Sequence, residues 1–234
     1  PGLAPAGRGK RLLPWLRADD IARHPKLVVG YSDVTALLTF LTRRCGIVAL
    51  HGPCVAAGLH GGPAGYDEST FVRALTAGEP LGVLPAESLD SLVPGEASGP
   101  LHGGNLTQVA ASMGTPYAFE PPPGSVLFLE DVGERPYRVD RLLTQLRLAG
   151  VFDRARAVVF GQFPACDEPD GSVTARDAAA RALRGFRGPV VWGLPAGHTT
   201  GPALTVPLGV RTRVVAGPAP SVEILESAVA ETSE

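Results

Sequence analysis

Cysteine is scarce: Cys45, Cys54 and Cys166 are the only three in 234 residues. An odd, sparse set argues against a disulfide framework and fits a reducing compartment. A large charge excess of either sign is lacking too. Lys and Arg number 21 against 23 Asp and Glu, a formal net charge of −2. No basic run stands out, which argues against nucleic acid or an anionic membrane as partner. No apolar stretch reaches the roughly 18 residues that a transmembrane helix needs. No secretory signal is visible, and the chain opens on Pro1 rather than Met. No internal repeat is found.

Hydrophobic residues are 44% and charged residues 19%, ordinary for a globular domain with a sizeable core. The length suits one large domain or two small ones. The 29 glycines and 23 prolines are spread along the chain and predict tight turns rather than disorder.

Residues 1–10 read as loop, and Arg11 to Trp15 as the start of a short helix. Lys26 to Gly30 reads as a buried strand, short, β-branched and ended by glycine. Val34, Leu37, Leu38 and Leu41 fall on one helical face. Ile47 to Leu50 is a short strand candidate, His60 to Gly65 a glycine-rich loop, and Ser69 to Thr76 a helix. Pro80 to Pro100, with its prolines and mixed polar residues, predicts a linker or edge strand. Beyond it, Leu106 to Met113 has helical spacing and "SVLFLE" is a strong strand. Val139 to Leu146 marks a helix ended near Gly150. "AVVFGQF" and "PVVWGLP" are strands, with a helix over Ala175 to Leu183 between them. The tail from Leu204 to Leu225 alternates and predicts a small β-rich end. The fold class is therefore α/β: a parallel-sheet N-terminal domain over residues 1–90 and a smaller mixed β/α domain over 91–234.

Ser32 follows the first strand, at the carboxyl end where parallel sheets place function. A nucleophile elbow has this geometry, with the next backbone N–H aimed at a developing oxyanion. The stretch equally suits a helix N-cap by Ser32 or Asp33, and Val34 stands where G-x-S-x-G has its second glycine. A serine nucleophile needs a base and a group that orients it. His198, in the loop "GLPAGHTTGP", is a candidate base, though a surface turn is an equally good reading. Glu130, ending "VLFLE", is a candidate orienter, predicted to emerge at a sheet edge. Asp131 and Glu134 are rivals, and an ion pair of Glu130 with Arg135, Arg138 or Arg141 is the plainer alternative. Cys45, His51, Cys54 and His60 are zinc-ligand types, but their spacing matches no common zinc module. "LHGGNLTQVA" has glycines opening a helix, which suits an anion cradle or a tight turn with Asn105 facing a cleft.

Together, "GYSDVTALL", "HGP", "GGNLTQVAASMGTPY", "LFLEDVGERPYRVDRLLTQLRLAG", "GQFPAC" and "GLPAGHTTGPALTVPLGV" resemble the serine LD-carboxypeptidases, the muramoyltetrapeptide carboxypeptidase family, from about Arg11 to Val215. The resemblance implies a flavodoxin-like N-terminal domain and a Ser-Glu-His triad of Ser32, Glu130 and His198. The Asp33 N–H is then an oxyanion donor, with Asn105 and Arg138 in substrate binding. It also implies a cytoplasmic homodimer, needing no metal or other cofactor, that releases the terminal D-alanine of a murein tetrapeptide. A related branch, the microcin-immunity-type peptidases, cleaves amide-linked aminoacyl nucleotides. Two departures from the pattern point to a third reading, a non-catalytic remnant or binding protein. The family's first strand-helix segment is not seen ahead of these residues, and its R-G-G-Y-G-type loop is replaced by "PAGRGKRLLPWL", with Gly7 and Gly9.

Overall fold

The computed structural model describes residues 9–56 and 58–229. In chain order, the strands are β1 (Val29–Gly30), β2 (Ala49–His51), β3 (Gly82–Val83), β4 (Asp90–Val93), β5 (Gly95–Asn105), β6 (Ser125–Glu130), β7 (Ala155–Gly161), β8 (Val190–Leu194), β9 (Val206–Leu208), β10 (Arg211–Ala216) and β11 (Ser221–Ile224). The α-helices are α1 (Gly9–Leu12), α2 (Ala18–Arg23), α3 (Thr35–Phe40), α4 (Glu68–Thr76), α5 (Leu106–Ala110), α6 (Pro136–Leu148) and α7 (Ala175–Ala182). No helix among the described residues is long and apolar enough to cross a membrane.

Two sheets form. The larger runs β3-β11-β10-β5-β6-β7-β8-β4, and the smaller runs β1-β2-β9. The centre of the larger sheet, β5 to β8, is parallel, and its flanking strands are antiparallel. β1 and β2 pair in parallel, while β9, from far along the chain, closes that sheet antiparallel. The sequence division at residue 90 is thus crossed twice: β9 joins the early strands, and β3 pairs with the late strand β11.

β6 shows why the centre is continuous in sequence hydrophobicity. All six of its residues are buried, because a parallel central strand is covered on both faces. Val126 and Phe128 join the core containing Leu38, Leu50 and Val206. Leu127 and Leu129 join the opposite core, built with Leu106, Leu143 and Ala178 of α5, α6 and α7. The period of two thus aims Glu130 the same way as Phe128, toward the smaller sheet.

The stretch from Pro80 to Pro100, expected to be a linker or edge strand, holds both edge strands of the larger sheet, β3 and β4, and is not a linker. β4 and most of the 11-residue β5 lie in it. The glycines of "LHGGN" are likewise strand residues and not an anion-cradling loop. Gly103 and Gly104 take φ of +139° and +136°. A Cβ at Gly103 would fall 1.9 Å from Phe128 O, and one at Gly104 would fall 2.8 Å from Thr35 Oγ1. Glycine lets the neighbouring strand and helix close in where any side chain would collide.

Candidate active site

The carboxyl ends of β1, β2 and β6 and the loop after β8 meet at one place. Ser32 lies in the 3-10 turn Ser32–Val34 that joins β1 to α3. Its φ is +59°, a left-handed conformation that costs a non-glycine residue of order 1–3 kcal/mol and that marks strand-to-helix nucleophile turns. Neither Ser32 nor Asp33 caps the helix by its side chain; the turn has no side-chain cap bond. The Asp33 carboxylate instead accepts the Gly9 N–H at 2.7 Å. The segment carrying Gly9 is thereby tied to the serine turn; Gly7 lies outside the described residues.

Two further contacts hold the turn. Gly30 is packed so tightly that a Cβ there would lie 2.6 Å from Val34 Cγ1. The hydroxyl of Thr35, buried at the start of α3, accepts the Asn105 N–H at 3.0 Å, joining the helix to the end of β5. The Asp33 N–H has no acceptor among the described residues. It is available at the first helical turn, where orphan donors favour negative charge.

Glu130 ends a central strand and is fully buried, not at a sheet edge as the sequence suggests. β5 flanks it on one side, with Asn105 opposite Glu130, and β7 on the other, where a Cβ at Gly161 would lie 2.6 Å from Glu130 Cβ. Glu130 Oε2 lies 2.8 Å from His198 Nδ1 and accepts the His198 backbone N–H at 3.0 Å. An ionised carboxylate only accepts, so Nδ1 carries the proton and Nε2 is left as the basic nitrogen. The arginines are engaged elsewhere: Arg135 pairs with Glu168, Arg138 with Glu134, and Arg141 lies over the Tyr137 ring.

The rival acid Asp131 has a different task. It accepts Asn105 Nδ2, Thr107 N and Oγ1, and Val132 N, all between 2.7 and 2.9 Å. Burial nonetheless pushes its carboxyl up, against the opposing pull of these bonds. Asn105 is equally committed, since its Oδ1 caps α5 by accepting Gln108 N.

The Tyr31 ring stands edge-on to the His198 imidazole, centroids 4.9 Å apart. The turn that carries Ser32 thus lies against the loop that carries His198. A cleft of about 260 Å³ opens here, walled by Tyr31, Pro53, Gly65, Gly197, His198 and Thr199 among others. Ser32, Asn105 and Arg138 are not among the residues that wall it; Arg138 sits on α6 with its guanidinium on Tyr137 and Glu134. Burial, with the nearby Cys54 and Glu130, raises the Tyr31 phenol.

His51 stands beside Glu130, a placement not read from the sequence. No cluster of three or more metal-ligand side chains forms among the described residues, so His51 is not gathered with Cys45, Cys54 and His60. It ends β2 fully buried, with Nε2 3.8 Å from Glu130 Oε1. The signal available in the sequence was "HGP" at a strand's carboxyl end, the same end as Ser32.

Comparison with known proteins agrees with this architecture. Residues 8–52 match the LD-carboxypeptidase N-terminal domain and residues 98–214 the LD-carboxypeptidase C-terminal domain. A putative carboxypeptidase of Streptomyces coelicolor is 41% identical over 189 residues, 81% of this chain; the chain spans 59% of that protein's length. The crystal structure of muramoyltetrapeptide carboxypeptidase from Oxalobacter formigenes superposes with a TM-score of 0.80 at 30% identity, covering 93% of this chain and 75% of that one. MccF, the microcin C7 self-immunity protein of Escherichia coli, is 28% identical over 230 residues, 87% of this chain and 67% of its own length. A structure of MccF with glutamyl sulfamoyl guanosine superposes with a TM-score of 0.79 at 25% identity, covering 94% of this chain and 73% of that one. The chain belongs to the LD-carboxypeptidase family.

Proposed function

We propose that this chain is a serine-type L,D-carboxypeptidase that hydrolyses the L,D-amide bond before the terminal D-alanine of a murein tetrapeptide. The observation that carries the reading is the buried Glu130 carboxylate bonded to His198 Nδ1, beside a serine held at a strained φ. That pairing fixes the imidazole with Nε2 free for a proton, and a serine turn adjoins it.

In this reading Ser32 Oγ attacks the amide carbonyl carbon while His198 Nε2 takes its proton. The carbonyl oxygen becomes an oxyanion and receives the Asp33 N–H, a type of contact worth roughly 3 kcal/mol in the transition state. The carbon–nitrogen bond then breaks, and His198 returns the proton to the departing D-alanine amine. Water attacks the resulting ester and gives a proton to His198; the ester bond to Ser32 Oγ then breaks, and His198 passes that proton to Oγ, restoring the hydroxyl. Glu130 holds the imidazole and stabilises its charged form throughout. The nucleophile comes from residues 1–90, and the base and orienter from 91–234, so catalysis needs both parts. The reaction belongs to murein peptide recycling in the cytoplasm, by a homodimer.

A second reading is favoured by the likeness to MccF, whose solved complexes hold aminoacyl sulfamoyl nucleosides. The same three residues would cleave an amide-linked aminoacyl nucleotide. Parallel assays separate the readings: D-alanine release from a murein tetrapeptide against amino-acid release from an aminoacyl sulfamoyl nucleoside. Turnover of only the second substrate overturns the murein assignment and keeps the triad.

A further inference from the structure

Glu130 has two carboxylate oxygens, and the triad accounts for one. Oε2 takes both contacts from His198. Oε1 is buried without a hydrogen-bond partner among the described residues. An unmet buried acceptor is costly, and more so when charged, so what faces it matters. What faces it is His51 Nε2 at 3.8 Å, itself buried and unpartnered, as is Nδ1. An orphan acceptor and a potential orphan donor thus stand opposite each other, under 1 Å beyond hydrogen-bond range.

The surroundings let the two groups meet only each other. The His51 ring is edge-on to Phe128 at 5.0 Å and to Tyr31 at 6.2 Å. Over both groups lies Gly197, at φ +81°. A Cβ there would fall 2.6 Å from Glu130 Cδ and 2.7 Å from His51 Nε2, so no side chain comes between them. Burial lowers the His51 imidazole to about 4, despite the opposing pull of Glu130, so the ring is neutral at pH 7. With one proton and a carboxylate before Nε2, the attractive tautomer carries the proton on Nε2; the other sets lone pair against lone pair.

We propose that His51 is a positioning residue for Glu130, donating Nε2–H to Oε1 as the site closes on substrate and thereby holding Oε2 toward His198. Catalytic hydrogen bonds are often long in the empty site and shorten in the complex. This rests on the triad reading above. His51 touches neither the substrate nor the reacting atoms; it acts through Glu130.

The test uses the full chain with His51→Gln, His51→Asn and His51→Leu. A glutamine amide nitrogen overlays Nε2, whereas an asparagine nitrogen overlays Nδ1 and stops short of Oε1. Two readouts run together: kcat and KM for D-alanine release, and the rate at which a fluorophosphonate labels Ser32, which needs no knowledge of the substrate. His51→Asn and His51→Leu should lose about 10²-fold in kcat and in labelling rate with KM little changed, as misplacement of a catalytic group predicts. His51→Gln should recover most of the loss. Melting curves establish that each variant folds, and the Gln and Asn pair decides the matter if Leu does not fold. Equal labelling and turnover in folded Asn and Gln variants overturns the role of His51 while leaving the triad standing. A parent that is labelled but releases no D-alanine overturns the substrate reading, and His51 is then judged on labelling rates. A folded parent that is not labelled overturns the triad, and the role of His51 with it.

Discussion

His198 meets Glu130 twice: its ring Nδ1 lies 2.8 Å from Oε2, and its backbone N–H donates to the same oxygen at 3.0 Å. The side-chain contact sets the tautomer, and the backbone contact pins the loop after β8 at His198. One buried oxygen therefore holds both the His198 imidazole and the chain that carries it.

Glu130→Gln tests that arrangement. The amide keeps the shape, but a single oxygen cannot replace the carboxylate charge that stabilises an imidazolium. We expect kcat to fall by roughly 10⁴-fold, the scale seen when a triad acid becomes an amide. Steady-state kinetics on the folded variant check this, and a loss under tenfold would show that Glu130 does not serve His198.

Gly197→Ala tests the close packing above the pair. The backbone there is left-handed, and the new Cβ would strike Glu130 Cδ and His51 Nε2. The left-handed conformation alone costs about 1–2 kcal/mol, and relieving the collision must move one of the two side chains. We expect a lowered melting temperature and about a 10²-fold or greater loss of activity. Gly201→Ala is the companion: nothing lies within 4 Å of its Cβ position, so thermal melts should show it close to the parent.

Acid should weaken the fold through buried histidines. His51 and His102 are both lowered to about 4, in each case first by burial. The unfolded chain takes up these protons near 6.5, before the folded chain does. Their contribution is therefore intact above about pH 6.5 and lost as pH falls toward 4, on the order of 3 kcal/mol for each histidine. Urea midpoints measured from pH 7 to pH 4 should fall steeply, and less steeply in His102→Leu. Parallel slopes in parent and variant would show that His102 is not one of the groups responsible.

Much of this was legible in the sequence where local pattern decides structure. "SVLFLE" reads as a strand and is one over those same residues, because a strand buried on both faces is apolar throughout. Ser32, Glu130 and His198 were legible as residue types at strand exits. What was not legible depends on distant partners. β5 hides among prolines and glycines because Gly99, Gly103 and Gly104 are shaped by Gly124, Phe128 and Thr35, which no local window contains. Glu130 reads as an edge residue because the strands flanking it come from residues 95–105 and 155–161. His51 reads only as a zinc-ligand type without a matching module, because the group it faces, Glu130, lies 79 positions further on. The strain at Ser32 is likewise a property of the folded turn, and it favours the nucleophile over the helix cap.

The most direct measurement is D-alanine release from a murein tetrapeptide by the purified chain, set beside its Ser32→Ala variant. Release by the parent and its loss in the variant are expected, with the two melting alike. Release by both would contradict Ser32 as nucleophile, and none from a folded parent would contradict the murein peptidase assignment.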